Sequence, residues 1–202
     1  MLSSYNIAPR VTVYPSGSAP PPVGDGWIAL AQLPRKDGSA VFGDGSHATT
    51  RLCATAVDML CRRCPSQAVL DVGTGTGILA RIARARGARR IVGTDIDPVA
   101  VSCAKAHAEL DDHGSEIQFG REAPDHWGAC FDLVVANILE APLRSLAPAL
   151  CRAMVPGGVL LISGFTRPQI PALRVLYENA GLTCLDHFSL DEWAALKFAS
   201  NQ

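Results

Sequence analysis

Val69-Leu70-Asp71-Val72-Gly73-Thr74-Gly75-Thr76-Gly77 is the stretch from which the architecture of this chain is inferred. An apolar run leads into a G-x-G-x-G turn, and residues 78–83 continue with apolar side chains at helical spacing. A strand, a glycine turn and a helix make the first unit of a parallel α/β sheet. Glycine has no Cβ, so the backbone of such a turn either lets a nucleotide-like ligand approach or forms an ordinary tight turn.

A carboxylate closes the next predicted strand. Residues 90–95 end on Asp95, 22 residues after Gly73, where a carboxylate can accept hydrogen bonds from both hydroxyls of a ribose. The glycine spacing departs from the G-x-G-x-x-G of dinucleotide-binding turns. Asp71, beside the turn, would repel a diphosphate and attract a cationic sulfonium or ammonium. The D-x-G-x-G-x-G pattern resembles the first motif of class I methyltransferases, whose cofactor, S-adenosyl-L-methionine, carries no phosphate.

Strands and helices alternate along the rest of the chain. Apolar runs predict strands at about 68–72, 90–95, 116–119, 131–136 and 158–163, and helical spacing predicts helices at about 48–62, 78–86, 98–110, 140–153 and 169–180. The last two runs, 182–188 and 193–199, are close enough to form an antiparallel hairpin. This order predicts an α/β, Rossmann-like, doubly wound and mostly parallel sheet. Its carboxyl edge, where such sheets bind ligands, carries Asp71, Asp95 and Asn137.

The N-terminal part differs in composition. Residues 1–26 are rich in Pro, Gly and Ser and are expected to form a mobile extended arm, with short strands at Val11–Tyr14 and Trp27–Leu30. The interpretation divides the chain into an arm, residues 1–40, and a cofactor-binding domain, residues 41–202.

Composition narrows the function. The 202 residues, 48% hydrophobic and 18% charged, suit one folded α/β domain, and a net charge of −1 gives no electrostatic case for nucleic acid. The basic run Arg81, Arg84, Arg86, Arg89 and Arg90 is interpreted as a solvated helix face and its exit. No run approaches the roughly 20 apolar residues of a membrane span, and no signal-peptide pattern opens the chain. Seven cysteines predict reduced thiols in the cytoplasm, and Cys61 and Cys64 lack partners for a metal site.

A second constellation precedes the first strand. Phe42-Gly43-Asp44-Gly45-Ser46-His47-Ala48-Thr49-Thr50 brings three polar side chains, His47, Thr49 and Thr50, to a predicted helix start. These residues either cap the helix or line a site. Asn137 follows a buried strand and is either a helix cap or a site residue.

Together these segments resemble the PrmA-type methyltransferases, which methylate amino groups of a ribosomal stalk protein. Members carry F-G-T-G-x-H-x-T-T, then D-V-G-x-G-x-G, a D-I-D strand end, V-V-A-N-I-L and P-G-G-x-L-x-x-S-G. The chain matches at Phe42–Thr50, Asp71–Leu79, Gly93–Pro98, Asp132–Leu139 and Pro156–Gly164, and Glu192-Trp193 resembles the closing strand. Asp44 replaces the usual threonine. The family also carries an N-terminal substrate-recognition domain, and with about 40 residues before the motif this chain is expected to hold the catalytic domain only.

The resemblance implies a site and an activity. It assigns Asn137 to the transferable methyl group and the incoming amine, and it places His47, Thr49 and Thr50 at the methionine end of the cofactor and Asp95 at the ribose. The full set of implied cofactor residues is Phe42, His47, Thr49, Thr50, Asp71, Gly73, Thr74, Gly75, Gly77, Asp95, Ile96 and Asn137.

The predicted function is an S-adenosyl-L-methionine-dependent N-methyltransferase acting on an amine or a protein lysine. Three alternatives stay open. They are a small-molecule N- or O-methyltransferase on a shortened scaffold, an NAD-dependent oxidoreductase and a non-catalytic cofactor-binding module. The glycine spacing argues against the second. No metal is expected.

Overall fold

The computed structural model describes residues 4–33, 41–65, 67–112 and 114–201. These residues form ten strands and five α-helices. In chain order they are β1 Tyr5–Ala8, β2 Val11–Pro15, β3 Ile28–Gln32, α1 Ala48–Arg63, β4 Ala68–Val72, α2 Ile78–Ala85, β5 Arg90–Thr94, α3 Pro98–Ala108, β6 Ile117–Gly120, β7 Phe131–Asn137, α4 Glu140–Ala153, β8 Met154–Thr166, α5 Ile170–Asn179, β9 Leu182–Leu190 and β10 Trp193–Ser200. Every helix and strand predicted for the main sheet is present.

The main sheet has seven strands in the order β6-β5-β4-β7-β8-β10-β9. The first five are parallel to one another, and β10 runs antiparallel to both of its neighbours, β8 and β9. Strand order changes direction between β4 and β7, which is where sheets of this kind bind ligands. The predicted α/β, Rossmann-like and mostly parallel sheet, with its closing antiparallel hairpin, is therefore confirmed.

Two buried clusters fill the two faces of the sheet. Residues of α1, α2 and α3 cover one face, and residues of α4 and α5 cover the other. The central strands are apolar on both faces, as expected for parallel strands covered by helices on each side. Local signals set the helix ends: Asp97 caps α3 through the Val99 N–H at 2.8 Å, and Pro98 occupies the first turn.

One boundary was predicted differently. The sequence predicts the start of this strand at about residue 158, but β8 already begins at Met154. Met154 pairs with Phe131 and Val159 pairs with Leu133, so the residues between them bulge out of the ladder. Gly157 has a φ of 75°, which permits this bulge.

The N-terminal part forms a sheet of its own. Strands were correctly predicted in β2 and β3, whereas β1 was missed. β1 pairs antiparallel and β3 pairs parallel to the middle strand β2. Ile7, Val11 and Val13 are at most 1% exposed and belong to the same buried cluster as α1 and α2. The predicted boundary after residue 40 lies at the edge of the stretch 34–40, outside the described residues.

The basic run was misinterpreted, because two of its arginines fix this small sheet to the main fold. Arg81, 1% exposed, pairs with Asp111 at 2.6 Å and donates to the Ala31 carbonyl at 2.6 Å. Arg86 pairs with the buried Asp58 at 2.5 Å and donates to the carbonyls of Gly26 and Arg10. Arg89 and Arg90 are exposed, as expected.

Among the described residues, no helix combines the length and apolar character that crossing a membrane requires.

Candidate active site

The glycine turn is built by contacts within the protein. Gly73, Gly75 and Gly77 all have positive φ, at 70°, 54° and 78°. A Cβ on Gly73 would lie 2.1 Å from Ile138 Cγ2, and a Cβ on Gly75 would lie 2.2 Å from the Phe42 carbonyl oxygen. The sequence left two explanations for these glycines, the approach of a ligand or a tight turn. At Gly75 a side chain is excluded because the loop of residues 42–47 packs directly on the turn.

Asp95, which follows β5, faces the glycine turn. Its Oδ2 accepts the Gly75 N–H at 3.1 Å, and its Oδ1 accepts the Asp97 N–H at 3.0 Å. Each carboxylate oxygen has a second lone pair, so the side chain can still accept two further hydrogen bonds. Asp95 is partly exposed, and the neighbouring Ile96 side chain is 87% exposed.

Asp71, in β4, lies beneath the turn and is 1% exposed. Its Oδ2 accepts a hydrogen bond from Thr74 Oγ1 at 2.7 Å, and its Oδ1 is buried and within hydrogen-bond geometry of no donor in the part of the chain that the structure describes. Burial raises the pKa of Asp71 to about 6; the hydrogen bond from Thr74 and the Ala80 N–H act in the opposite direction, and the charge of Asp95 adds to the increase. The carboxylate is therefore a costly charge that a cationic ligand group would stabilise.

His47 begins α1 as its N-cap. Its Nδ1 accepts the Thr49 N–H at 3.3 Å and lies 2.8 Å from Thr49 Oγ1, so the capping interpretation is confirmed. The ring also makes edge contacts with Phe42 and Trp193, with centroids 5.1 and 4.7 Å away. Capping does not require contacts with two aromatic rings. The role of His47 in a ligand site therefore stays a prediction beside its structural role as N-cap.

Asn137 ends β7 beside the same helix. Its Nδ2 donates to Thr50 Oγ1 at 3.5 Å, a long hydrogen bond, and its Oδ1 is buried with no hydrogen-bond partner among the described residues. The alternative in which Asn137 caps the next helix is wrong, because the N-cap of α4 is Leu139 and it makes no side-chain cap. A buried amide carbonyl without a partner is costly in a folded protein.

The predicted residues therefore meet at one edge of the sheet, in two linked groups. Asp71, Thr74, Gly75 and Asp95 surround the glycine turn, and His47, Thr49, Thr50 and Asn137 surround the start of α1. Thr76 joins the groups, because its N–H donates to the Phe42 carbonyl at 3.0 Å and its hydroxyl to the Gly43 carbonyl at 2.5 Å.

Sequence reasoning missed Thr76 and the role of Trp193 as a wall of the site. Thr76 stands at an unspecified position of the glycine pattern, so only its long-range contacts reveal its role. Trp193 was noted as part of the closing strand, and nothing local connects it with His47. In the described residues, no group of three or more His, Cys, Asp or Glu side chains is arranged to hold a metal. Burial raises the pKa of the Cys61 thiol to about 12, which disfavours the thiolate form that binds metals.

A family model described as "Ribosomal protein L11 methyltransferase (PrmA)" matches residues 4–201. The ribosomal protein L11 methyltransferase of Rhodopseudomonas palustris (strain BisB5) is 38% identical over 170 residues, which cover 81% of this chain and 57% of the relative. That of Dechloromonas aromatica (strain RCB) is 46% identical over 145 residues, covering 71% and 47%. The chain thus spans about half the length of the curated relatives it matches.

Solved structures agree with the fold. The crystal structure of ribosomal protein L11 methylase from Lactobacillus delbrueckii subsp. bulgaricus superposes with a TM-score of 0.82 at 26% identity, and 100% of both chains is covered. The N-methyltransferase NodS from Bradyrhizobium japonicum WM9, in complex with S-adenosyl-L-homocysteine, gives 0.60 at 16% identity, covers 78% of this chain and 90% of that one, and supports the fold alone. With the family match over nearly its whole length and relatives well above 30% identity, this chain belongs to the ribosomal protein L11 methyltransferase (PrmA) family.

Proposed function

We propose that this chain is an S-adenosyl-L-methionine-dependent N-methyltransferase that modifies an amine carried by a protein, such as a lysine side chain. The observation that carries the proposal is the buried Asn137 Oδ1, which lacks a partner and lies beside the cofactor residues that the family resemblance implies. Such an atom is satisfied by a ligand group that donates a hydrogen bond, and an amine nitrogen supplies one.

The chemistry of the edge fits the cofactor. S-adenosyl-L-methionine has ribose hydroxyls, a cationic end and no phosphate. Asp95 retains acceptor capacity for the hydroxyls, and the unpartnered Oδ1 of Asp71 favours a cation. The proposed cofactor residues are those named from the sequence, from Phe42 to Asn137, with His47, Thr49 and Thr50 at the methionine end. When bound, the cofactor supplies a methyl group already activated by its attachment to a sulfonium.

The protein's own contribution is positioning. A lysine amine has an ordinary pKa of about 10.4 and must be neutral to react. Asn137 Oδ1 would accept one of its N–H groups and orient the nitrogen lone pair, while the contact between Nδ2 and Thr50 holds the other end of the amide. The rings of Phe42, His47 and Trp193 would exclude water at this point.

The acceptor is proposed from the relatives' names. Because they are methyltransferases of ribosomal protein L11, that protein is the first acceptor to test. We place the reaction in the cytoplasm, in keeping with seven cysteines that are all free thiols.

Two measurements test the proposal. Calorimetric titration should show binding of S-adenosylhomocysteine and none of NAD. Incubation of purified ribosomal protein L11 with isotope-labelled cofactor should then add labelled methyl groups to amines, detected by peptide mass spectrometry, with the Asn137→Ala variant as the inactive control. Binding of NAD alone would favour an oxidoreductase. Cofactor binding without methyl transfer to L11 or to any protein or small molecule of a lysate would favour a binding module.

A further inference from the structure

Strand β1 of the small N-terminal sheet touches the loop of residues 42–47. The Tyr5 hydroxyl donates a hydrogen bond to the Asp44 carbonyl at 2.7 Å. Ile7, 1% exposed, lies against Gly45, where an added Cβ would come within 2.5 Å of Ile7 Cγ2. Gly45 has a φ of 93°, so both its conformation and its lack of a side chain allow this contact.

The opposite side of the loop rests on the glycine turn. Thr76 donates to the carbonyls of Phe42 and Gly43, and Gly75 packs against Phe42. The loop is thereby held between β1 and the turn, with Phe42 at its start and His47 at its end. Both of these residues belong to the proposed site, and their rings are in contact.

The sheet that carries β1 is itself fixed. Arg81 and Arg86 of the α2 region donate to backbone carbonyls at Ala31, Gly26 and Arg10, and both guanidinium groups are buried ion-pair partners. A small isolated sheet has little stability of its own, so these hydrogen bonds and ion pairs help to hold it in place on the main fold. β1 can therefore act as a rigid support, although it lies at the edge of its sheet.

We propose that Tyr5 and Ile7 are positioning residues of the active site, which hold the 42–47 loop so that Phe42 and His47 face the cofactor and acceptor. The inference rests on the proposed function, since it assigns these two residues a task in that site. It gives the N-terminal sheet a role in the reaction beyond stability.

Paired substitutions test the proposal. Tyr5→Phe removes the hydroxyl that donates to the Asp44 carbonyl and keeps the ring. Tyr14→Phe, on the neighbouring strand β2, is the matched control, because Tyr14 pairs across the sheet with Ala31 and has no hydrogen bond to the loop within the described residues. Ile7→Leu moves the branch point away from Gly45 at constant volume, whereas Ile7→Val keeps Cγ2 and trims the far end.

Three readouts separate positioning from stability. They are the melting temperature, the affinity for S-adenosylhomocysteine and the NMR signals of the His47 ring, which report the ring currents of Phe42 and Trp193. For Tyr5→Phe we expect a melting temperature lowered by no more than about 2–4 °C. We also expect an affinity lowered about three- to ten-fold, as for one lost hydrogen bond, and shifted His47 signals. Ile7→Leu should act in the same direction. Both controls should keep the wild-type affinity and His47 signals, although Ile7→Val should lower the melting temperature by a few degrees because Ile7 is buried.

Wild-type affinity and unmoved His47 signals in both Tyr5→Phe and Ile7→Leu would overturn the inference. So would equal losses in the two matched controls, because the effect would then be one of general stability. If the wild type itself failed to bind S-adenosylhomocysteine, the proposed function would fail. The His47 signals would still decide separately whether β1 sets the loop.

Discussion

Asp95 both orders the glycine turn and retains acceptor capacity for a ligand. Replacing it with alanine would release the N–H groups of Gly75 and Asp97 and remove the acceptors proposed for the ribose. Two charge-assisted hydrogen bonds are worth roughly 1.5–3 kcal/mol each, so titration of Asp95→Ala with S-adenosylhomocysteine should show an affinity loss of at least about ten-fold.

Asp97→Ala is the matched control for that experiment. Asp97 caps α3 and makes no contact with the turn through its side chain. We expect it to lower the free energy of unfolding by about 1 kcal/mol and to leave the affinity unchanged. If Asp95→Ala and the wild type bound S-adenosylhomocysteine with equal affinity, Asp95 would not belong to the cofactor site.

Asp71 links the site to pH. Its pKa is about 6 in the folded protein and 3.8 in its ordinary state. Between these values the folded chain holds a proton that the unfolded chain has released, so this residue makes the protein less stable as pH rises from about 4 to about 6, and the full cost persists above. Asp71→Asn should therefore raise the free energy of unfolding by about 1–3 kcal/mol near pH 7.5.

Urea denaturation at two pH values checks this sign. The stabilisation of Asp71→Asn over the wild type should shrink at about pH 5, where Asp71 is mostly protonated in the folded wild type. The same variant should bind S-adenosylhomocysteine more weakly at neutral pH, because its cationic ammonium loses a charged partner. A variant that is less stable than the wild type at pH 7.5, or that binds equally well, would contradict this account of Asp71.

Asn137 tests the chemistry more directly than the cofactor residues do. With the capping alternative excluded, the only hydrogen bond of its side chain among the described residues is the long one to Thr50. Asn137→Ala should keep the cofactor affinity within about three-fold and lower turnover on the order of 100-fold, as expected when one positioning contact is lost. Thr50→Val removes the partner of Nδ2 and changes a residue proposed for the methionine end of the cofactor, so we expect a smaller loss of turnover accompanied by a loss of cofactor affinity. A fully active Asn137→Ala enzyme would refute the catalytic assignment.

At the scale of elements, the sequence predicted what depends on local signals. The apolar run at Val69-Leu70 specifies β4, and the capping residue before Pro98 specifies the start of α3. Both signals lie within a few residues of the element that they specify. The Asp71–Thr74 and Asp95–Gly75 contacts follow from the same β-α-β order. The placement of Asp71, Asp95 and Asn137 at the carboxyl edge of the sheet therefore followed from spacing. The addition of His47, Thr49 and Thr50 to the same site came from the family resemblance, because periodicity showed only a helix start.

The missed features depend on contacts between distant residues. Arg81 and Arg86 stand at positions that look solvent-exposed in the sequence of α2, but the small sheet covers them and Asp58 and Asp111 pair with them. Tyr5 meets the loop 39 residues away. β1 is only four residues long and lies beside a Pro- and Gly-rich segment, so composition conceals it.

The ion pair between Arg86 and Asp58 is predicted to hold two elements together. Arg86→Met leaves the buried Asp58 carboxylate with Arg62 alone and frees the carbonyls of Gly26 and Arg10. Breaking a buried pair costs about 3–5 kcal/mol, so the free energy of unfolding in urea should fall by that order. Arg62 pairs with the same Asp58, but its side chain is 37% exposed. The control Arg62→Met should therefore lower the free energy of unfolding by at most about 1 kcal/mol.

The double variant Asp58→Leu/Arg86→Met removes both buried charges. It should recover part of the stability lost in Arg86→Met, because no unpaired buried carboxylate remains. If Arg86→Met and Arg62→Met were equally stable, the contacts of Arg86 with Asp58 and with the small sheet would not stabilise the protein as described.

At the scale of the whole molecule, the N-terminal sheet shares one of the two buried clusters with the main fold. Ile7, Val11 and Val13 share a cluster with α1, α2 and the main sheet. The loop of residues 42–47 then lies between β1 and the glycine turn and is in contact with both. This arrangement explains why residues 4–33, which the sequence presents as an arm, bear on the geometry of a site at the edge of the main sheet.

Hydrogen exchange distinguishes this arrangement from the mobile arm expected from composition. Amides in β2, which is paired on both sides, and those of β1 and β3 that bond to it should exchange only on global unfolding. Residues 19–26, which are almost entirely exposed and outside any strand, should exchange fastest. Mass spectrometry of peptides from this region measures both rates in one sample, and the exposed segment is the internal control.

Protection of β1 should rise further when S-adenosylhomocysteine binds, because the ligand would order the loop that Tyr5 and Ile7 contact. Rapid exchange throughout residues 4–33 would restore the arm and deprive the 42–47 loop of its support.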